Sequence, residues 1–172
     1  MRKTLIENML RGKLTEPSPQ DSKKAALVQR LDRATQKQLG RSLAIREVDA
    51  GSCNGCELEI VALNNALYDL ERFGLKIVAS PRHADVLMVT GPVTRNMAAA
   101  LQLTFEAMPA PKFVIAVGDC ACTGGLFAES DACLGPVSKV LPVDLTLPGC
   151  PPDPMALLEG LIALVEALKA PK

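Results

Sequence analysis

Two short apolar runs constrain this chain more than any other feature of it. Asp85–Thr90 (DVLMVT) stops at Gly91-Pro92, and Phe113–Val117 (FVIAV) stops at Gly118. Both lie between segments with helical periodicity. A strand with one wet face alternates polar and apolar residues, whereas a near-continuous apolar strand is buried on both faces. The pattern predicts a parallel sheet covered by helices on both sides, an α/β architecture.

The remaining segments extend that reading. Leu43–Val48, Leu75–Ala79 and Asp144–Leu147 read as further strands. Cys56–Arg72 reads as a helix with Leu58, Val61, Leu67 and Leu70 among its apolar positions and Gly74 just past its end. Arg95–Met108 and Pro152–Lys169 read as helices, the last with proline in its first turn. Residues 123–140 read mostly as loop, with a short helix near Val137–Val140.

The chain of 172 residues suits one domain plus an extension. Residues 42–172 form the α/β domain. Residues 1–41 form a basic helical extension with ten Lys/Arg against four Asp/Glu, net +6, while the rest of the chain is net −6. Within it, a short helix is expected near Thr4–Arg11. Residues 22–39 set Leu27, Val28, Leu31, Ala34 and Leu39 on a helical stripe among Lys and Arg. This amphipathic helix reads either as packed on its own domain or solvated, or as a docking arm for an acidic partner or an anionic membrane surface.

Composition narrows the function. Aromatic residues make up 3% and Trp is absent, too few for the stacking faces that hold single-stranded nucleic acid. The first residues lack an uninterrupted apolar stretch and a small-residue cleavage site. The apolar segment Met155–Leu168 is interrupted by Glu159 and Glu166 and falls short of the roughly 20 residues that span a bilayer. A soluble subunit in a reducing compartment is expected, where six cysteines indicate metal or redox chemistry over disulfides.

Ligand sites of open α/β sheets form beyond the carboxyl ends of strands. Cys53 and Cys56 follow the first strand, Cys120 follows FVIAV, and Cys150 follows DLTL. Cys53-Asn54-Gly55-Cys56 is a CxxC whose helix-start position favours thiolate. Alone, the same four residues would suit a zinc hairpin or a redox pair. Pro148-Gly149-Cys150-Pro151-Pro152 is a rigid, donor-poor turn around one thiol, and Cys-Pro recurs in cluster-binding segments. Gly118-Asp119-Cys120 sets a thiol on a glycine bend. Two close and two distant cysteines match the four thiolates of a cubane cluster. Zinc accepts four cysteines too, so a zinc-stabilised interaction module stands as the non-redox alternative.

Taken together, CNGCELEI, SPRHADVLMVTGPVTRNM, VIAVGDCACTGG and PVDLTLPGCPPDP resemble, in this order, the small cluster-bearing subunit family. Respiratory complex I and the group 4 membrane-bound [NiFe] hydrogenases, formate hydrogenlyase among them, share this subunit. The resemblance covers about residues 43–168. It implies a flavodoxin-like fold and one [4Fe–4S] cluster on Cys53, Cys56, Cys120 and Cys150, proximal to the active site of a large catalytic subunit. It also implies a further iron–sulfur subunit as electron donor or acceptor, membrane subunits, and a peripheral place on the cytoplasmic side of the membrane. Complex I members usually carry two adjacent cysteines where this chain has CNGC, which points to the hydrogenase branch. In the complex-I-like alternative, the electrons pass to quinone. No extra cysteine-rich domain follows, so one cluster is expected, with Cys122 and Cys133 as small buried thiols.

This subunit is expected to relay electrons and to carry no catalytic residue of its own. Glu57 reads either as facing the cluster or partner and coupling protonation to reduction, or as a helix-start carboxylate favoured by the dipole. Arg82 and His83 lie in the SPRHAD loop, where the only histidine is either a proton carrier near the cluster or a plain loop residue. Arg95 reads as an interface residue. Backbone N–H groups of 54–57 and 121–124 are candidates to hydrogen-bond the sulfurs.

Overall fold

A computed structural model of the chain describes residues 41–167. The extension 1–40, with both of its expected helices, lies outside the described residues, as does the last helix beyond Ala167. In chain order the elements are β1 (Leu43–Asp49), α1 (Gly55–Ala62), β2 (Leu75–Ile77), β3 (Val86–Thr90), β4 (Val93–Thr94), α2 (Arg95–Ala107), β5 (Phe113–Val117), α3 (Asp119–Thr123), β6 (Cys133–Gly135), β7 (Leu145–Leu147) and α4 (Pro154–Ala167).

Five of the strands form one parallel sheet in the order β2-β1-β3-β5-β7. Counted along this sheet, the order is 2-1-3-4-5, the flavodoxin-like winding expected from the resemblance. Successive side chains of a strand point to opposite faces, and both faces here are apolar. Val86, Met88, Ile115 and Val117 pack with Ile60 of α1 and with Leu157 and Leu161 of α4. Leu87, Val89, Val114 and Ala116 pack on the other side with Leu101 of α2 and Ala121 of α3. The absence of alternation in DVLMVT and FVIAV thus has its cause in a helix layer on each side.

At the opposite edge from the strand carboxyl ends, the Asp85 carboxylate accepts two hydrogen bonds from Arg41, at 2.5 and 2.8 Å, and one from the Ala44 N–H at 3.0 Å. This ties the entry of β1 to the start of β3.

Three local expectations are corrected. The helix from Cys56 ends at Ala62 rather than Arg72. Asn65 Oδ1 accepts the N–H groups of Leu67 and Tyr68 at 2.8 and 3.0 Å, a side-chain turn that competes with helix, and Asp69 is left-handed at φ 49°. The chain then doubles back so that Leu70 donates its N–H to the Leu63 carbonyl. Of the four apolar positions named on that helix, Leu70 is buried, while Leu58, Val61 and Leu67 are exposed. Second, the region read as loop contains β6, which pairs antiparallel with β4. Third, a single helical turn, α3, carries Cys120 directly off β5.

Candidate metal centre

The carboxyl ends of β1, β3, β5 and β7 surround a cavity of about 100 Å³ lined by Cys53, Cys56, Cys120 and Cys150. These are the four thiols singled out in the sequence, delivered by three strand ends. Gly91-Pro92, after β3, and Phe127 also line it.

Each thiol is held by local chemistry. After β1, Asp49 Oδ1 accepts the N–H groups of Gly51 and Ser52 at 2.7 and 2.6 Å, which turns the chain toward Cys53. Ser52 Oγ accepts the Asn54 N–H at 3.0 Å and donates to Glu57 Oε1 at 2.6 Å. Asn54 precedes α1 in a left-handed conformation, and its side chain caps nothing. The first-turn N–H groups of a helix have no intrahelical acceptor, so the start of α1 retains donors beside Cys56. The 121–124 segment differs: Cys122 and Gly124 spend their N–H groups on Gly118 and Cys120 carbonyls.

Beyond β5 and β7, the Asp119 N–H donates to the Gly149 carbonyl at 2.9 Å, and the Gly149 N–H donates to Asp119 Oδ1 at 2.8 Å. Cys120 and Cys150 are the next residues on each side. The Cys150–Pro151 peptide is cis. Two glycines keep space open around sulfur. A Cβ on Gly118, at φ 88°, would stand 2.5 Å from Cys56 Sγ, and one on Gly125 would stand 2.8 Å from Cys120 Sγ.

The electrostatics join the same four residues. Burial, then the charges of Glu57, Cys53, Cys120 and Cys150, push the Cys56 thiol up to about 12. Burial pushes Cys120 up as well, with Cys150 and Cys53 next. The thiolate expected at a helix start is therefore disfavoured at Cys56 in the chain alone, by burial and like charge. A cationic iron core would reverse the balance, since metal ligation requires and stabilises thiolate. Among the described residues, no three His, Cys, Asp or Glu side chains are close enough to grip one bare ion. The four thiols share the walls of one cavity, where four thiolates could hold a cluster core.

The other sequence candidates separate. Glu57 is 9% exposed, sits in the first turn of α1, and its Oε2 is buried without a hydrogen-bond partner. Arg82 and His83 form an exposed turn just before β3, at the sheet edge opposite the cavity. Arg95 starts α2, and its Nε donates to the Asp131 carbonyl at 2.5 Å, clasping the loop before β6. Cys122 points its thiol to the Ala116 carbonyl at 3.5 Å, and neither it nor Cys133 lines the cavity. Sequence reasoning missed Asp49, Ser52, Asp119 and Phe127. Two signals could have found some of them: Asp119 stands next to a ligand in sequence, and Asp49-Ala50-Gly51-Ser52 has the composition of a side-chain turn.

The family described as NADH ubiquinone oxidoreductase, 20 Kd subunit, matches residues 53–164. The chain belongs to this family. Among 20 Kd subunit relatives, the probable membrane-bound hydrogenase subunit mbhJ of Pyrococcus furiosus is 48% identical over 77% of this chain and 79% of its own length. An NADH-quinone oxidoreductase subunit from Heliobacterium modesticaldum is 46% identical over 67% of each chain. A solved archaeal respiratory membrane complex, the membrane-bound sulfane sulfur reductase, contains a chain that superposes with a TM-score of 0.67. It is 34% identical, and the match covers 80% of this chain and 74% of that one. The 20 Kd subunit family thus spans oxidoreductase complexes of hydrogenase and quinone type at nearly equal distance from this chain. Among the described residues, no helix is long and apolar enough to cross a membrane.

Proposed function

We propose that this chain is the electron-transfer subunit of a membrane-bound [NiFe] hydrogenase-type complex, holding one [4Fe–4S] cluster on Cys53, Cys56, Cys120 and Cys150. The observation that carries the reading is the convergence of these four thiols, from three strand ends, on one cavity. The cluster, when bound, supplies reversible one-electron transfer. The chain's part is to hold and bias it. Cys56 and Cys120 are half-buried and Cys53 and Cys150 exposed, so a cluster held by the four would be open to a partner on the Cys53 and Cys150 side. That partner is a large catalytic subunit to which the cluster is proximal, with a further iron–sulfur subunit as electron donor or acceptor. Attachment is peripheral, on the cytoplasmic side, through membrane subunits of the complex.

Glu57 is assigned to the same site, facing the cluster or the partner. Its Oε2 is buried without a hydrogen-bond partner beside Cys56, and the proposed role is to couple protonation to reduction. A cluster potential whose pH dependence is the same in Glu57→Gln as in the native chain would remove that role. Arg82 and His83, far from the cavity, and Arg95 are assigned to contacts with other subunits.

A complex-I-like role, with quinone as the acceptor, is the second reading, favoured by the 46% identity to an NADH-quinone oxidoreductase subunit. Purification of the intact complex with iron, sulfide and nickel analysis tests both. Iron, sulfide and nickel together support the hydrogenase reading. Iron and sulfide without nickel, with quinone-dependent turnover, move the assignment to the second. A complex whose iron content is unchanged by Cys120→Ser overturns the ligand set.

A further inference from the structure

Of the six large apolar side chains that stay exposed among the described residues, four lie on the chain segments that bear the proposed ligands. Leu58 and Val61 stand on the outer face of α1, and Leu67 follows its end. Leu126 and Phe127 form the turn after α3, and Leu126 is 96% exposed. An isolated exposed leucine is ordinary on a protein surface, but this one is not on a loose tip. Phe127 and Ala128 return N–H groups to Gly124 and Gly125, the Ser130 N–H bonds the Phe127 carbonyl, and the Gly125 N–H bonds Thr123 Oγ1. The backbone of Gly125 lies against Cys120, and Phe127 lines the cavity. Leu126 is therefore a rigid apolar knob one residue from a wall of the cluster site.

The segments around it are acidic, although Arg95 of α2 reaches the Asp131 carbonyl and Asp49, Glu57 and Asp119 are engaged within the chain, which leaves Glu59, Glu129, Asp131 and Asp153 to form the rim. Segments 49–62, 118–131 and 147–153, which bear the four thiols and this turn, contain seven Asp/Glu and no Lys or Arg. An anionic lipid surface would be repelled there. A polypeptide face with complementary charge would be steered in.

We propose that Leu126, with Phe127 beside it, is the anchor by which the catalytic subunit docks, and that the docked face is an apolar socket rimmed by Lys and Arg. The inference rests on the reading of the four thiols as ligands of a cluster shared with a catalytic partner. Seating the knob would exclude water from the exposed side of Cys53 and Cys150 and place basic groups against the acidic rim. Anchors of this kind are few, central and apolar or aromatic, and are ringed by weaker contacts.

The test uses the whole complex, purified through a tag on this chain, with Leu126→Ser and, as control, Leu103→Ser. Leu103 is also exposed, at 65%, but lies on α2. Leu126→Ser is expected to weaken retention of the catalytic subunit about thirtyfold on dilution, the effect of losing one anchor, and Leu103→Ser to leave it unchanged. Higher ionic strength is expected to loosen the native complex. A photo-crosslinking residue at position 126 is expected to join the catalytic subunit within a Lys/Arg-flanked apolar segment. This arm also decides the matter should Leu126→Ser disturb folding. Native retention in Leu126→Ser, equal loss in both variants, or a crosslink to lipid or another subunit would overturn the proposal. A native complex without iron and sulfide would instead defeat the reading of the four thiols, so the two failures are distinguishable.

Discussion

Asp119 and Gly149 hold each other by two hydrogen bonds, backbone N–H to carbonyl at 2.9 Å in one direction and backbone N–H to carboxylate at 2.8 Å in the other. Each is the residue before a proposed ligand, so the pair sets Cys120 and Cys150 at a fixed spacing although they lie far apart along the chain. Asp119→Ala leaves the part-buried Gly149 N–H without its acceptor, at a cost of about 1–3 kcal/mol. The expected result is lower unfolding free energy in denaturant and a lower iron-to-protein ratio. Asp119→Asn, which keeps an acceptor oxygen, should recover most of both.

Gly118 is required by two independent facts. Its φ of 88° with ψ of 157° is a region that residues with a Cβ avoid, and that Cβ would fall 2.5 Å from Cys56 Sγ. Gly118→Ala carries a backbone cost of about 1–3 kcal/mol and must displace the thiol as well. The variant should show little cluster absorbance after reconstitution with iron and sulfide. Gly74→Ala, at a positive φ far from any thiol, should lose stability without losing iron.

The parallel sheet and the ligand ends were legible because buried strands announce themselves by unbroken apolar runs, and because strand carboxyl ends are where such folds build sites; the winding was legible only through the family resemblance. Gly91 and Gly118 marked those ends in the sequence. The end of α1 was not legible, since Leu58, Val61 and Leu67 continue a helical apolar pattern whose residues face out of the core. A pattern shows that side chains are apolar, and it does not distinguish a core from a surface left for a partner. The two-residue strand β4 carries no periodicity to read, and its pairing with β6 depends on contacts distant in sequence. The role of Asp119 was hidden for a similar reason: its partner, Gly149, lies 30 residues away and is set by tertiary geometry. The raised pKa of Cys56 was equally hidden, because the helix start is visible in sequence, while the burial and the other three thiols around it are not.

Separate roles for the six cysteines give a direct comparison. Cys120→Ser and Cys150→Ser should lose cluster iron and the signal of the reduced centre. Cys122→Ser should retain both, because its side chain bonds the Ala116 carbonyl instead of lining the cavity. Cys133→Ser should retain both for the same lack of access. Chelation that strips iron should also lower the melting temperature of the native chain, since a ligand held only by the folded state stabilises that state. It should leave the temperature of Cys120→Ser unmoved.

The acidic group beside the site gives a pH prediction with a definite sign. Burial, then the charge of Glu57, raises the Glu47 carboxyl above its ordinary value of 4.5, with Arg46 opposing and Asp49 adding to the rise. A carboxyl raised in the folded state binds its proton more tightly there than in the unfolded chain. Its effect on stability is therefore absent below about pH 4.5, and stability falls as pH climbs from there through the raised folded value. Above that value the charged carboxylate destabilises the fold by a constant amount. Glu47→Gln removes the penalty, so the variant should be more stable than the native chain at neutral pH and should show a flatter profile across the acidic range. Unfolding free energies measured in denaturant at several pH values check this. A native profile that rises through the same range and a Glu47→Gln variant less stable at pH 7 would show that Glu47 is held by favourable charge rather than strained by burial.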